Sequence, residues 1–237
     1  MICICLPTYN ERENIEPMVD RLGEILGGEG VVLVIDDNSP DGTGEIADRL
    51  AAERLWVQAL HRPRKEGLGP AYLDGFRRAL ELGADLIFEL DCDFSHDPAD
   101  IPRLAAAAED ADLVIGSRYV PGGGTRNWGL VRRLISRGGS LYAQLLLGVP
   151  VRDLTGGFKC YRRAVLETID LDAIDSKGYA FQIETTYCAL RAGFRVTEVP
   201  IVFVDRAVGG SKMSKAIVLE AVWKVPALRL GSLRGRA

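Results

Sequence analysis

Short apolar runs alternate along this chain with longer segments in which apolar positions return every three or four residues. Ile2–Leu6, Val31–Ile35, Leu86–Leu90 and Leu113–Ile115 are dense in Val, Ile, Leu and Cys, the composition of strands covered on both faces. Between them, Asn14–Leu26, Thr43–Arg54, Ala71–Leu82 and an Ala-rich stretch around Ile101–Ala108 carry the helical period. Asp41–Gly42–Thr43 ahead of Glu45 supplies one polar helix start. The alternation predicts βαβ units and an α/β domain, a mostly parallel central sheet flanked by helices. After Tyr119 the rhythm changes. Pro121–Gly124 is expected to be a loop, Leu130–Leu147 a long helix, and Phe158–Tyr161 a short strand after Thr155–Gly156–Gly157. A helix over Tyr179–Arg191, a strand-like Phe194–Val204 broken by Pro200, and a Gly-rich loop at Ala207–Ser211 follow. The helical pattern from Met213 is expected to stop at Pro226, where the ring removes a donor.

Open α/β sheets bind ligands at the carboxyl ends of their strands, so the residues after each strand are the candidates. Pro7–Thr8–Tyr9–Asn10–Glu11 follow the first strand, Asp36–Asp37–Asn38–Ser39 the second. Asp91–Cys92–Asp93 and Gly116–Ser117–Arg118 follow two more. Acids, an aromatic and an arginine therefore converge at one edge of the sheet.

Charge separates along the sequence. Residues 1–113 hold 10 basic and 24 acidic side chains, whereas residues 114–237 hold 19 and 9, within a net charge of −4. An acidic half suits a cation and a basic half an anion or an anionic surface. With 237 residues, 47% of them hydrophobic, the chain suffices for one well-buried domain. Its uncharged run Gly138–Val151 is too short and too rich in glycine to span a membrane. An apolar strand begins at once after Met1, so neither a signal peptide nor a spanning helix is expected. The five cysteines are odd in number and have no Cys/His spacing that reads as zinc, so buried reduced thiols are expected.

Paired carboxylates at a strand end suit Mg²⁺ or Mn²⁺, which bind one or two acids and complete their shell with substrate phosphates. Ser95 is a candidate third ligand, and His96, before Asp97–Pro98, reads as a turn or cap residue. Neither a dinucleotide GxGxxG turn nor a GxxxxGK[ST] loop occurs, so a metal-held nucleotide diphosphate is the economical inference. A Ser/His/Asp or Cys/His set is missing too, which disfavours nucleophilic hydrolysis. The second half offers Arg118, Arg126, Arg132, Lys177, Arg206 and Lys212. Arg132 and Ser136 stand four apart, on one helix face, where they can grip a phosphate together.

These motifs resemble the dolichyl/polyprenyl-phosphate mannose synthases, inverting glycosyltransferases of the GT-A fold in family two. The resemblance rests on Leu6–Glu11, Val34–Thr43, Gly67–Tyr72, Asp91–His96, Gly116–Gly123, Thr155–Lys159, Ser176–Glu184, Asp205–Arg206 and Gly210–Met213. It implies a GT-A domain over residues 1–215, with a nucleotide-sugar half (1–113) and an acceptor-facing half (114–215). Residues 216–237 would form a basic amphipathic segment. Pro7, Tyr9, Glu11, Ile35, Asp36 and Asp37 would then bind the nucleotide. Asp91, Cys92 and Asp93 would meet the sugar nucleotide and, with Ser95, a Mg²⁺ or Mn²⁺ ion: Asp91, Asp93 and Ser95 are the expected ligands, Asp93 and Arg118 the expected catalytic residues. Arg118, Arg132 and Ser136 would hold the acceptor phosphate, and Lys177, Arg206 and Lys212 the diphosphate or the acceptor. Cys92 stands where Ala is usual, and the C-terminal membrane helices that some members carry are not expected from these 237 residues.

The implied partners are GDP-mannose, a polyprenyl or dolichyl phosphate and a membrane surface, not nucleic acid, and a separate membrane-anchoring protein is compatible with this. The expected location is cytoplasmic, peripheral on the cytoplasmic face of a membrane. A phosphate monoester with a second pKa of about 6 is already a nucleophile at neutral pH, so no general base is required; Glu184 reads as structural or sugar-binding. Ser211–Ala237, with six cations and one acid among apolar residues, can lie on an anionic bilayer or pack on the core. Glucosyl or N-acetylhexosaminyl transfer to a prenyl phosphate, and a non-catalytic nucleotide-sugar binding module, stand as alternatives.

Overall fold

A computed structural model of the chain describes residues 1–205 and 215–233. Strands β1 (Ile2–Thr8), β2 (Gly30–Asp36), β3 (Val57–His61) and β4 (Leu86–Glu89) are parallel and lie in the order β3-β2-β1-β4. Helices α1 (Ile15–Leu26), α2 (Thr43–Glu53) and α3 (Leu68–Glu81) make the crossovers, and α4 (Ile101–Ala107) leads into β5 (Leu113–Ser117). A short β6 (Gly124–Arg126) precedes the long α5 (Leu130–Leu147). Then come β7 (Lys159–Arg162), α6 (Arg163–Thr168), α7 (Tyr179–Arg191), β8 (Val196–Pro200), β9 (Val202–Val204) and α8 (Lys215–Leu233). β7 enters antiparallel between β4 and β5, and β8 closes the far edge parallel to β5. β6 and β9 form a separate two-stranded parallel ribbon. The architecture is the expected α/β sandwich with a mostly parallel sheet.

Strand residues alternate faces, so each strand feeds two cores. Cys3, Cys5, Leu33, Ile35, Ile87 and Tyr161 pack with Tyr72 and Phe76 of α3 and Phe181 of α7. Ile4, Leu6, Val32, Val34, Phe88 and Cys160 pack on the opposite side with Met18 and Leu22 of α1, Leu50 of α2 and Leu104 of α4. All five cysteines are reduced, four of them buried.

Three elements go beyond the pattern. β3 is an edge strand whose Gln58 and His61 obscure its period, β6 arises from the glycine-rich stretch, and α6 is a single short turn after β7. One expectation is corrected: α8 does not stop at Pro226 but runs through it to Leu233. Proline lacks the N–H that would reach the carbonyl four residues back. That carbonyl belongs to Val222, and the Tyr142 hydroxyl of α5 donates to it instead, at 3.0 Å. The segment read as an amphipathic tail thus packs in part on the domain, with Val225 wholly buried, while Trp223 remains exposed.

The start of α3 sits against the loop that carries Lys177. Gly69 N–H donates to the Lys177 carbonyl, and a Cβ at Gly69 would lie 2.2 Å from the Ser176 carbonyl oxygen. Gly69→Ala is therefore expected to destabilise by about 1–3 kcal/mol through overpacking against rigid backbone. In α5 a Cβ at Gly138 meets nothing within 4 Å, so Gly138→Ala should stabilise by about 0.5–1 kcal/mol. Urea denaturation of both variants checks the pair.

Candidate active site

The carboxyl ends of β1, β4 and β5, the start of β7, the loop before α7 and the β9 strand enclose a cavity of about 430 Å³. It is lined by Pro7, Glu11, Asp91, Cys92, Asp93, Ser95, Arg118, Arg132 and Lys177, all anticipated, and by Lys65, His96, Trp128, Tyr179, Gln182, Phe203 and Asp205, which were not assigned to the site. The first half contributes Glu11, Asp91 and Asp93 to the lining and the second half Arg118, Arg132 and Lys177, so the two signs of charge meet across the cavity.

The Asp91–Ser95 turn is shaped by backbone as well as by sequence. Phe94 adopts φ 57°, a left-handed conformation unusual for a bulky residue. The Ser95 N–H donates to Asp93 Oδ1 at 3.0 Å, tying the two candidate ligands into one loop. Asn10, Asn38 and Asn127, the other non-glycine residues at positive φ, lie just after β1, β2 and β6. Ser95 Oγ is buried without a hydrogen-bond partner among the described residues. Two carboxylates and an orphaned hydroxyl opening on a cavity suit a hard divalent cation that takes its remaining ligands from substrate and water. Cys92 turns its small thiol into the core beside α1 and α4, so the departure from Ala costs no space in the cavity. His96 is not the cap: Asp97 accepts from Ala99 N–H and starts the next turn. His96 instead packs against Phe158 and Phe203, and burial pushes its pKa down to about 4, keeping the imidazole neutral.

Arg118 is fixed more firmly than its place in a motif suggests. Its Nε and Nη2 donate to the two oxygens of Asp153 at 2.7 and 2.6 Å, and Nη2 also reaches Thr155 Oγ1. Burial would lower its pKa, but Asp153 outweighs that and holds it above the usual arginine value. Arg132 pairs with Asp205 at 2.5 Å. Both guanidiniums lie over the Trp128 ring, at 5.5 Å for Arg118 and 4.3 Å for Arg132. Ser136 accepts from the Tyr119 hydroxyl at 2.7 Å and stands next to the cavity rather than in its lining.

The nucleotide-side expectations divide. Tyr9 carries Lys65 Nζ 3.7 Å from its ring centre. Asp37 pairs with buried Arg62, which also holds Glu66 and Asp74; burial raises the Asp37 pKa against the pull of that arginine. Asp36 is spent within the protein, accepting from Thr8 Oγ1, Ser39 Oγ and Ser39 N–H. The Ile35 side chain is wholly buried against α3, since strand alternation sends it to the core, so a contact with the nucleotide there falls to its backbone. Arg126 lies on β6 outside the lining, and Arg206 and Lys212 fall outside the described residues. Glu184 is outside the cavity lining as well: it accepts from Ser176 Oγ at 2.5 Å and pairs with Lys224 of α8 at 3.2 Å.

The glycosyl transferase family 2 profile matches residues 3–170. The chain belongs to glycosyl transferase family 2. Within the family it is 51% identical to the undecaprenyl-phosphate mannosyltransferase of Micrococcus luteus, over 98% of this chain and 96% of that one. It is 50% identical to the polyprenol monophosphomannose synthase of Mycolicibacterium smegmatis, over 94% and 84%. Among solved structures, glucosyl-3-phosphoglycerate synthase from Mycobacterium tuberculosis shares the fold with a TM-score of 0.69 at 20% identity, covering 96% of this chain and 79% of that one. A second crystal structure of that synthase, holding Mn²⁺, UDP-glucose and phosphoglyceric acid, superposes with a TM-score of 0.68 at 19% identity, over 97% and 79%.

Of the residues not anticipated, Trp128 and Phe203 carried only a weak signal, an aromatic beside a glycine-rich turn and one within a strand-like run. The partner of Arg118 carried less, because Asp153 is distant in sequence. Removing Asp153 leaves a buried charge without its counter-ion. Asp153→Ala is expected to lower stability by about 3–5 kcal/mol, whereas an exposed pair such as Arg21–Glu24 should cost less than about 1 kcal/mol when broken by Glu24→Ala. Chemical denaturation of the two variants checks the contrast.

Proposed function

We propose that this glycosyltransferase moves mannose from GDP-mannose to a polyprenyl phosphate with inversion, giving a β-linked polyprenyl-phosphate mannose and GDP. The observation that carries the reading is a single cavity lined by Asp91 and Asp93 together with Arg118, Arg132 and Lys177. Acidic groups suit a cation-bound diphosphate and basic groups suit a second phosphate, and a transfer between two anions needs both at once. The names of the mannosyl-transferring relatives support the choice of sugar and acceptor.

In this reading Pro7, Tyr9, Glu11 and Asp37 surround the nucleotide, while Lys177 (with Arg206 and Lys212) neutralises the diphosphate. Asp91, Asp93 and Ser95 would hold Mg²⁺ or Mn²⁺, whose chemistry is to neutralise the negative charge that develops on the leaving diphosphate. Arg118, Arg132 and Ser136 seat the acceptor phosphate. One of its oxygens attacks the anomeric carbon, the bond from that carbon to the diphosphate oxygen breaks, and its electron pair leaves with GDP. With a second pKa of about 6, the acceptor is mostly dianionic at neutral pH, so no side chain has to remove a proton. Glu184, already committed to Ser176 and Lys224, is not required as a base. The protein's contribution is alignment and charge compensation.

The direct experiment is incubation with labelled GDP-mannose, divalent cation and polyprenyl phosphate, followed by solvent extraction. Lipid-borne label is expected, chelator should abolish it, and UDP-glucose should give far less. Asp93→Ala should retain a cooperative unfolding transition and lose at least about 100-fold in turnover; wild-type-like turnover in that variant overturns the assignment of Asp93.

A prenyl acceptor places the enzyme at a membrane surface, on the cytoplasmic side. Among the described residues no helix is long and apolar enough to cross a bilayer. Helix α5 instead turns an apolar face outward: Leu130, Val131, Leu134 and Leu145 are 76%, 70%, 72% and 74% exposed. Their spacing puts them on one side of the helix, and Trp223 of α8, 74% exposed, lies on the helix packed beside it. Arg133 and Arg137 on the same helix suit anionic headgroups. Leu134→Glu with Leu145→Glu should cut sedimentation with anionic vesicles by about 10-fold or more, yet spare turnover of a short, water-soluble prenyl phosphate.

A further inference from the structure

Behind the acidic wall lies a buried polar cluster that the proposed chemistry does not use. Glu89, the last residue of β4 and two before Asp91, is wholly buried. Its Oε1 accepts from the Tyr161 hydroxyl at 2.8 Å and its Oε2 from Gln182 Nε2 at 2.6 Å. Lys159, also wholly buried, directs its ammonium to the Gln182 carbonyl and Thr185 Oγ1. Burial lowers the Lys159 pKa to about 8, and Glu89 opposes that fall.

Gln182 connects this cluster to the cavity. It is 1% exposed and lines the cavity wall, and its side-chain carbonyl Oε1 has no hydrogen-bond partner among the described residues. The amide cannot turn round to relieve this, because a carboxylate offers acceptors only, and Glu89 therefore keeps the NH₂ group on its own side. A fixed, buried acceptor on a residue that lines a ligand cavity is one that a ligand donor can satisfy. Its place narrows the choice. Gly157 separates Gln182 Nε2 and Asp91 Oδ2, which would lie 3.6 and 4.0 Å from a Cβ at that glycine. The acceptor phosphate, as a dianion, has no hydrogen to offer. Two groups flank a diphosphate held at Asp91 and carry hydroxyl donors, the ribose and the sugar; Gln182 stands on α7 beside Gly157, away from the β1 and β2 ends assigned to the nucleotide, which leaves the sugar.

We infer that Gln182 Oε1 accepts a hydrogen bond from one hydroxyl of the transferred sugar, with Glu89 as the positioning residue that fixes the amide, so that Gln182 helps set which hexose is transferred. This rests on the mannosyl-transfer reading and adds a specificity-determining residue to it. A site built to pair with a hydroxyl discriminates strongly against the analogue that lacks it, because its own polar atom is then left buried and bare.

The test is the series of GDP-mannose donors deoxygenated singly at the 2, 3, 4 and 6 positions, assayed with wild-type enzyme and Gln182→Met. One deoxy donor is expected to lose about 10- to 100-fold in kcat/KM with wild-type enzyme, and that loss should vanish with Gln182→Met, which keeps the length but not the acceptor. A structural role alone would slow all donors equally. If every deoxy donor stays within about threefold of GDP-mannose with wild-type enzyme, or if the loss persists in the variant, the assignment to Gln182 is overturned while mannosyl transfer stands. If Gln182→Met fails to fold, Gln182→Asn, whose carbonyl is withdrawn by one methylene, takes its place in the same comparison. Absence of wild-type turnover with GDP-mannose itself overturns the transfer reading and this inference with it.

Discussion

A guanidinium taken out of water must be paired, and the pairing of Arg118 with Asp153 organises the second half of this molecule. Arg118 follows β5 and Asp153 follows α5, so their bidentate contact ties the long helix to the end of the sheet. Asp153 is held in turn, because its N–H and that of Arg152 donate to the two oxygens of Glu198 on β8. Thr155 links the same guanidinium to Ser140 of α5. Trp128 and Phe203 roof it with aromatic rings. Desolvation makes such an arrangement costly unless every donor is met. The fixed cation presented to the cavity is what that cost secures.

A second chain of contacts runs from the outer helices to the opposite wall. Lys224 of α8 pairs with Asp175 and Glu184, and Glu184 accepts from Ser176. The next residue, Lys177, lines the cavity, and its carbonyl is seated on Gly69 of α3. On its other side α8 accepts the Tyr142 hydroxyl where Pro226 leaves a carbonyl unserved. The helix pair with the exposed apolar face is thus joined by short polar links to the loop that holds Lys177.

Legibility in the sequence followed the range of the interactions. Strands with continuous apolar runs and helices with a clear period were evident, because burial on two faces or one leaves a local signature. The acids after β1, β2 and β4 could be placed at one edge by topology alone. The edge strand β3 could not, since half-buried positions blur the pattern. Pro226 misled for a definite reason: the donor that replaces its missing N–H sits on Tyr142, 80 residues away. The same holds for the site. Asp91, Asp93, Arg118 and Arg132 stood out by motif, whereas Asp153, Trp128 and Gln182 matter through partners far along the chain. That the Ile35 side chain faces the core was not evident either, because nearness to a motif says nothing about which face a strand residue takes.

The fold shared with glucosyl-3-phosphoglycerate synthase at 20% identity bears on where acceptor choice can reside. A sheet edge that ends in paired acids constrains the diphosphate and little else. In the function proposed above, the acceptor is met by groups from the later half, here Arg118 and Arg132 with Trp128 beneath them, and beyond them by whatever α5 and α8 present outward. A soluble acceptor would leave the exposed leucines of α5 in water with no return, a contiguous apolar surface of the kind that monomeric proteins seldom carry without use. Under the proposed function, a bilayer around the acceptor's hydrocarbon tail would give that face a solvent of its own kind while the phosphate entered the cationic wall. The same helix would then serve both ends of one molecule: Arg132 on the flank beside the cavity, leucines on the face away from it.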